Sequence, residues 1–338
     1  IDLNPSYDES QNAYPIRISV KEGTDMTSLA PIFELTPGAT ISPASGSVQN
    51  FTTPVRYTVT SEDKAWHRVY AITAREQKAS NIPTTYHFEK VRIMQNVWQE
   101  FYEEQDSGNE LTWASGNKGF KWAMSEAATE DYPTTQIDNG KTGKCVKLET
   151  RLTGDLGNMV GMPIAAGNLF IGSFDMLNAI TNPLSATRFG TPFYNKPLRL
   201  TGYYKYKAGE QFYENGEYTS RKDIFNIYAI FYDGVKYDSA GKGTDVTLDG
   251  NLPNQNYEHS SMVALALVSN PQETEGDEWK FFDIPFDYQR YGKKIDEARL
   301  AKGEYKIGII FASSKDGATF EGAPGSTLLI DEVELIYE

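Results

Sequence analysis

The chain has 338 residues, 13% of them aromatic, with 21 Tyr, 17 Phe, 28 Gly, 16 Pro and a net charge of −14. That length suits one large domain plus a smaller one, and the charge argues against nucleic acid and anionic membrane surfaces, which need clustered Lys and Arg. The single cysteine, Cys145, excludes an intrachain disulfide and reads as a small packing residue, and no apolar run reaches bilayer length.

Residues 1–79 carry short alternating runs at Ile16–Val20, Pro31–Leu35, Ala39–Ile41, Pro54–Thr60 and Trp66–Ala74, with Pro and Gly turns between them. This spacing predicts a small β-sandwich. Gln77–Pro83 reads as a linker. Residues 83–338 then form a second domain, long but within the range of all-β sandwiches. Its strong strands are Lys144–Thr150, Leu198–Lys207, Phe225–Tyr232, Met262–Val268, Lys280–Phe286, Tyr305–Ala312 and Ser326–Tyr337. A period of two puts Phe225, Ile227, Ala229 and Phe231 on one face and Asn226, Tyr228 and Tyr232 on the other. It likewise separates Leu198, Leu200, Gly202, Tyr204 and Tyr206 from Arg199, Tyr203 and Lys205. Met262–Leu267 is apolar on both faces, as in a strand covered on both sides. One short helical turn is expected around Lys294–Lys302. The fold class is all-β: two packed antiparallel sheets arranged as a jelly roll.

In the closing strand, Asp331 has the parity of Leu329, Val333 and Leu335, so it is expected on the apolar face. A buried carboxylate there needs a cation or strong donors. Catalytic signatures are missing: there is no His-Glu-x-x-His, Gly-x-Ser-x-Gly, phosphate-binding glycine loop or Cys-x-x-Cys. His67, His87 and His259 are scattered. Glycoside hydrolysis needs two carboxylates across a cleft. Asp223, just before a core strand, is one candidate, with a turn or salt-bridge role as the plainer reading. Asp233, Asp238, Asp245 and Asp249 read as a solvated loop, not an EF-hand. Sugar recognition needs flat rings for pyranose C–H faces and planar polar groups for hydroxyls. The candidates are Trp113 and Trp122, flanking a Gly/Asn/Ser-rich loop, with Tyr203 and Tyr228 on faces opposite the apolar ones, and Arg188 beside them.

The order of four landmarks is more telling than any of them alone. Tyr86–Glu89 opens the second domain, Trp113–Asn117 follows, Gly140–Glu149 makes a glycine turn into a strand, and Leu329–Val333 closes it. Together they resemble galactose-binding-like jelly rolls and carbohydrate-binding modules. Pro163–Phe174, Asn182–Phe193, Leu200–Tyr206, Ile284–Phe286, Ser313–Gly317 and Gly322–Thr327 are similar to the putative carbohydrate metabolism (PCMD) domain family. Glu22–Pro31, Ser42–Gly46 and Tyr57–Thr60 look like Ig-like spacer modules of surface lipoproteins. The resemblance implies a periplasmic or cell-surface protein, held by a lipid anchor preceding residue 1, whose partner is an oligo- or polysaccharide. It also implies a structural Ca2+ between Glu89 and Asp331, with a Lys or Arg partner or backbone N–H groups as the other ways to satisfy Asp331. The expected function is non-catalytic glycan binding. The alternatives are a glycoside hydrolase with a carboxylate pair in the same groove, and a structural lipoprotein that contacts another protein.

Overall fold

The computed structural model describes residues 5–21, 23–77, 80–105 and 110–338. The chain start and part of the Gln77–Pro83 linker lie outside the described residues. The fold is all-β, in two compact units: Ile1–Ala79 together with Glu338, and Ser80–Tyr337.

Among the described residues the first unit forms one mixed four-stranded sheet, Tyr14–Lys21, His67–Gln77, Val55–Thr60 and Thr40–Ser42 in spatial order. Its outer pair is parallel, with Ile16 beside Ile72. The two-sheet Ig-like sandwich expected here is corrected on this point. A single sheet buries one face, and Phe51, Tyr57, Ile72 and Ala74 form its core with help from the long connection that carries Met26, Leu29 and Phe33. Regular strand spacing cannot distinguish one sheet covered by a loop from two sheets facing each other.

The second unit is a sandwich of two antiparallel sheets. One has the order Lys280–Pro285, Pro197–Lys207, Thr327–Tyr337, Cys145–Glu149, Thr134–Ile137, and Thr85–Tyr86 also pairs with the Thr327–Tyr337 strand. The other runs Asn168–Phe170, Tyr305–Ala312, Asn226–Asp233, Met262–Leu267, with Thr191–Phe193 also against Tyr305–Ala312. Between them lies the main core: Tyr204, Tyr206, Leu328 and Ile330 from one sheet face Ile227, Phe231, Ile309 and Phe311 from the other. The alternation read for Phe225–Tyr232 and Leu198–Lys207 is the alternation observed.

The far face of the second sheet is also covered, by a layer containing a small sheet of Gly172–Phe174, Thr187–Phe189 and Leu248–Asp249. Tyr228, Ile230, Tyr232, Met262 and Leu265 pack beneath it into a second core. This is why Asn226–Asp233 and Met262–Leu267 are buried on both faces. The expected helical turn is Glu297–Leu300, capped by Asp296, whose carboxylate accepts from the amides of Ala298 and Arg299.

One parity prediction is overturned. Thr201 pairs with Glu334 but Tyr203 pairs with Asp331, so Glu332 and Val333 together oppose the single residue Gly202. This is a β-bulge, and Glu332 sits in it at φ 47°. Beyond the bulge the alternation is reset. Leu328, Ile330, Val333 and Leu335 face the core, while Leu329 and Asp331 lie on the outer face.

Candidate functional site

A cavity of about 170 Å3 opens in the covering layer of the second unit, against the outer face of the second sheet. Phe170, Tyr228 and Ile310 form its floor. Its walls come from the short helices Asn117–Ala123, Gly154–Met159 and Met176–Thr181, from Thr187 and Phe189, and from the turn Gly317–Thr319 with Phe320. Phe120, Trp122, Phe174, Met162 and Met176 complete a lining that is largely apolar and contains no Asp or Glu among the described residues. Most of its polar side chains are committed to the protein. Asn168 accepts from the Gly116 amide (2.8 Å) and donates to the Ala166 carbonyl (3.3 Å). Asn226 donates to the Tyr257 hydroxyl (2.9 Å), Thr153 to the Met162 carbonyl, and Ser314 to Asp223 (2.6 Å).

The five residues singled out for sugar binding do not all meet in one place. Trp122, 39% exposed, and Tyr228, buried, both line the cavity. Trp113 is corrected to a core residue: 1% exposed, it packs between the sheets against Tyr86, Phe88 and Phe311. Arg188 lies away from the cavity: its neighbours Thr187 and Phe189 line it, so strand alternation turns Arg188 outward to solvent. Tyr203 belongs to the outer face of the other sheet. Phe120, Phe174, Phe189 and Phe320 were missed, because no periodicity links segments so far apart in the chain.

That outer face carries a second group of rings. Tyr203 packs on Phe281 (centroids 5.2 Å), and Phe281 is 54% exposed. Trp279, half-buried, lies over the Lys205 ammonium at 5.0 Å, and Lys141 lies over Tyr203 at 4.9 Å. Charged pairs border the rings: Arg199 Nε donates to Asp283 (2.6 Å) and Lys205 Nζ to Asp277 (2.5 Å). Phe281 and Asp283 share this face by the two-residue period of the edge strand Lys280–Pro285, and Trp279 immediately precedes it.

Glu89 and Asp331 converge on one loop, Gly140–Lys144. Asp331 is fully buried; its Oδ2 accepts from the Thr142 amide (3.0 Å) and its Oδ1 from the Glu332 amide (2.8 Å). Glu89 Oε1 accepts from the Lys144 amide (2.8 Å). Gly143, at φ 60°, leaves the room for that contact, since a Cβ there would sit 2.1 Å from Glu89 Oε1. Burial raises the Asp331 carboxyl to about 6 in spite of its amide donors. Calcium requires six to eight oxygens. The loop turns amide hydrogens toward both carboxylates, and no group of three or more His, Cys, Asp or Glu is gathered among the described residues. These contacts form a hydrogen-bonded clasp of both carboxylates.

Asp223 is a second internal clasp. It accepts from the hydroxyls of Ser314 (2.6 Å) and Ser326 (2.7 Å) and from the amides of Ala323 (2.7 Å) and Ile224 (2.9 Å), while burial pushes its carboxyl up. Glu103, also raised by burial, accepts from the Phe88 amide. The acidic loop is tied up too: Asp233 is gripped by Arg299 (2.8 and 2.6 Å), Asp245 by Lys306 (2.6 Å), and Asp238 and Asp249 accept from nearby backbone amides.

A family model described as "Putative carbohydrate metabolism domain" matches residues 87–336. The chain belongs to this family. Residues 4–74 match a second model, "SGBP, N-terminal". Among solved structures, a protein of Bacteroides vulgatus described as a putative glycoside hydrolase is 50% identical with TM-score 0.71, the match covering 77% of this chain and all of that one. A protein of Bacteroides thetaiotaomicron described in the same words is 46% identical with TM-score 0.68, covering 97% of this chain and 91% of that one. TmCBM61 in complex with beta-1,4-galactotriose aligns at 12% identity over 61% of this chain and 83% of that one, but its TM-score of 0.23 is too low to carry an argument. Among curated proteins none matches.

Proposed function

We propose that this chain is a non-catalytic glycan-binding protein of the cell envelope, and that its second domain holds an oligo- or polysaccharide on the exposed face bearing Tyr203, Phe281 and Trp279. The observation that carries this reading is that ring cluster, open to solvent and bordered by the Arg199–Asp283 and Lys205–Asp277 pairs. Rings offer surface to the C–H face of a pyranose, and planar charged groups offer donors and acceptors to its hydroxyls. Membership of a carbohydrate-metabolism family and a glycan-binding-protein module at the N-terminus support the ligand class and an envelope location.

Glycoside hydrolysis is the second reading, favoured by the description given to both relatives. Against it stand three of the four carboxylates that burial raises among the described residues; the fourth, Glu100, lies 3.6 Å from Arg92. A general acid must present its proton to a leaving group, whereas Asp331, Asp223 and Glu103 turn their oxygens inward to amides and hydroxyls. On the ring-bearing face, Asp277 and Asp283 both lie in ion pairs.

A glycan array followed by calorimetry on the positives tests the proposal. Binding is expected, weakened about tenfold in Phe281→Ala, the loss of one stacking ring of about 1.4 kcal/mol, with unfolding temperature unchanged. Silence across plant, host and bacterial glycans would overturn it. Release of reducing sugar from the hits would move the function to hydrolysis.

A further inference from the structure

The lining of the cavity in the covering layer excludes what the ring-bearing face accepts. A pyranose ring carries several hydroxyls, each costly to bury without a partner. The cavity has few free partners to give: Asn168, Asn226, Thr153 and Ser314 already bond within the protein. What it offers is ring and methyl surface, from Phe120, Phe174, Phe189, Tyr228 and Phe320, with no carboxylate among the described lining residues. Its volume, about 170 Å3, has room for one aromatic ring. An apolar cavity of about 150 Å3 stays dry and takes up benzene. Trp122, partly exposed, stands in the lining together with the exposed Lys315, so the cavity communicates with solvent.

We infer that this cavity is a binding site for a single uncharged aromatic ring, and that the ring arrives attached to a saccharide, as the aglycone of a glycoside or an aromatic ester of a glycan. The first half stands on the lining alone. The second half rests on the glycan-binding reading above. The ring packs against this apolar lining, which asks no hydrogen bond of it. Its polar attachment stays at the mouth, where Lys315 and solvent meet it.

Calorimetry with three probes separates the parts: phenol, phenyl β-D-glucopyranoside and methyl β-D-glucopyranoside. Phenol and the phenyl glucoside should bind, and the phenyl glucoside should bind at least about tenfold more tightly than the methyl glucoside, as expected for burial of one ring. Ala179→Phe, which fills the cavity from the helix Met176–Thr181, should abolish that difference. Ala318→Phe, which fills it from a separate turn, should do the same, so that a folding failure in one variant does not decide the result. Binding of the aromatic probes unaffected by either folded variant overturns the site, as does failure of both aromatic probes to bind. Phenol binding as tightly as the phenyl glucoside keeps the aromatic site and overturns its saccharide-borne ligand. The glycan array reads the other face independently, so loss of the glycan reading and loss of this one are distinct results.

Discussion

Replacing Asp331 by Asn tests the clasp at the domain's closing strand. Burial raises the carboxyl from the usual 3.8 to about 6 in the folded protein. The native state therefore binds more protons than the unfolded chain between those two values, and stability falls as pH rises through that window. The shift corresponds to about 3 kcal/mol, present below pH 4 and lost above pH 6. For a domain of this size about 1 kcal/mol moves the melting temperature by about 2 °C, so the shift is worth about 6 °C. Asn does not titrate. Melting curves by calorimetry from pH 3.5 to 7.5 should show the Asp331→Asn protein gaining about 6 °C on the wild type as pH rises. Taking the difference between the two proteins cancels the titrating groups that do not couple to Asp331. The gain should be the same in calcium and in EDTA, because the loop meets the carboxylate with the amides of Thr142 and Glu332. Parallel curves for the two proteins would refute the buried, raised carboxylate. A wild-type melting temperature that falls on adding EDTA would refute the hydrogen-bonded clasp.

Gly202→Ala should lower the melting temperature by a few degrees, because its Cβ would sit 2.7 Å from the Phe282 ring and 2.9 Å from Val333 at the bulge, an overpacking cost of about 1–3 kcal/mol. Asp223→Ala should destabilise the second domain by on the order of 3 kcal/mol or more, read in the same melting experiment, since it strands two serine hydroxyls and two amides. Cys145, fully buried with its thiol pushed up to about 12, should not react with a thiol reagent in the native protein and should react at once in denaturant.

Much of the architecture was legible because it rests on local alternation. Phe225–Tyr232 and Leu198–Lys207 show their two faces in the sequence, and Met262–Leu267 announces cover on both sides. Alternation fails where the backbone inserts a residue. The bulge at Glu332 moved Asp331 to the outer face, and its only sequence trace is Gly202, a missing side chain on the opposite strand. Trp113 and Trp122 flank the same loop, yet one is a core residue and the other lines a cavity, because the sandwich closes over the first only.

The sequence by itself determined the all-β class and the family, since these follow from strand period, turn chemistry and motif order. Tertiary structure alone decided which side chains share a site. Phe120, Phe174, Phe189, Tyr228 and Phe320 line one cavity though two hundred residues of chain separate the first from the last. Each is unremarkable among its chain neighbours, because a phenylalanine pointing into a cavity and one pointing into a core obey the same local rule. Only the covering layer, folded across the sheet, leaves space before one set of rings and closes it before the other.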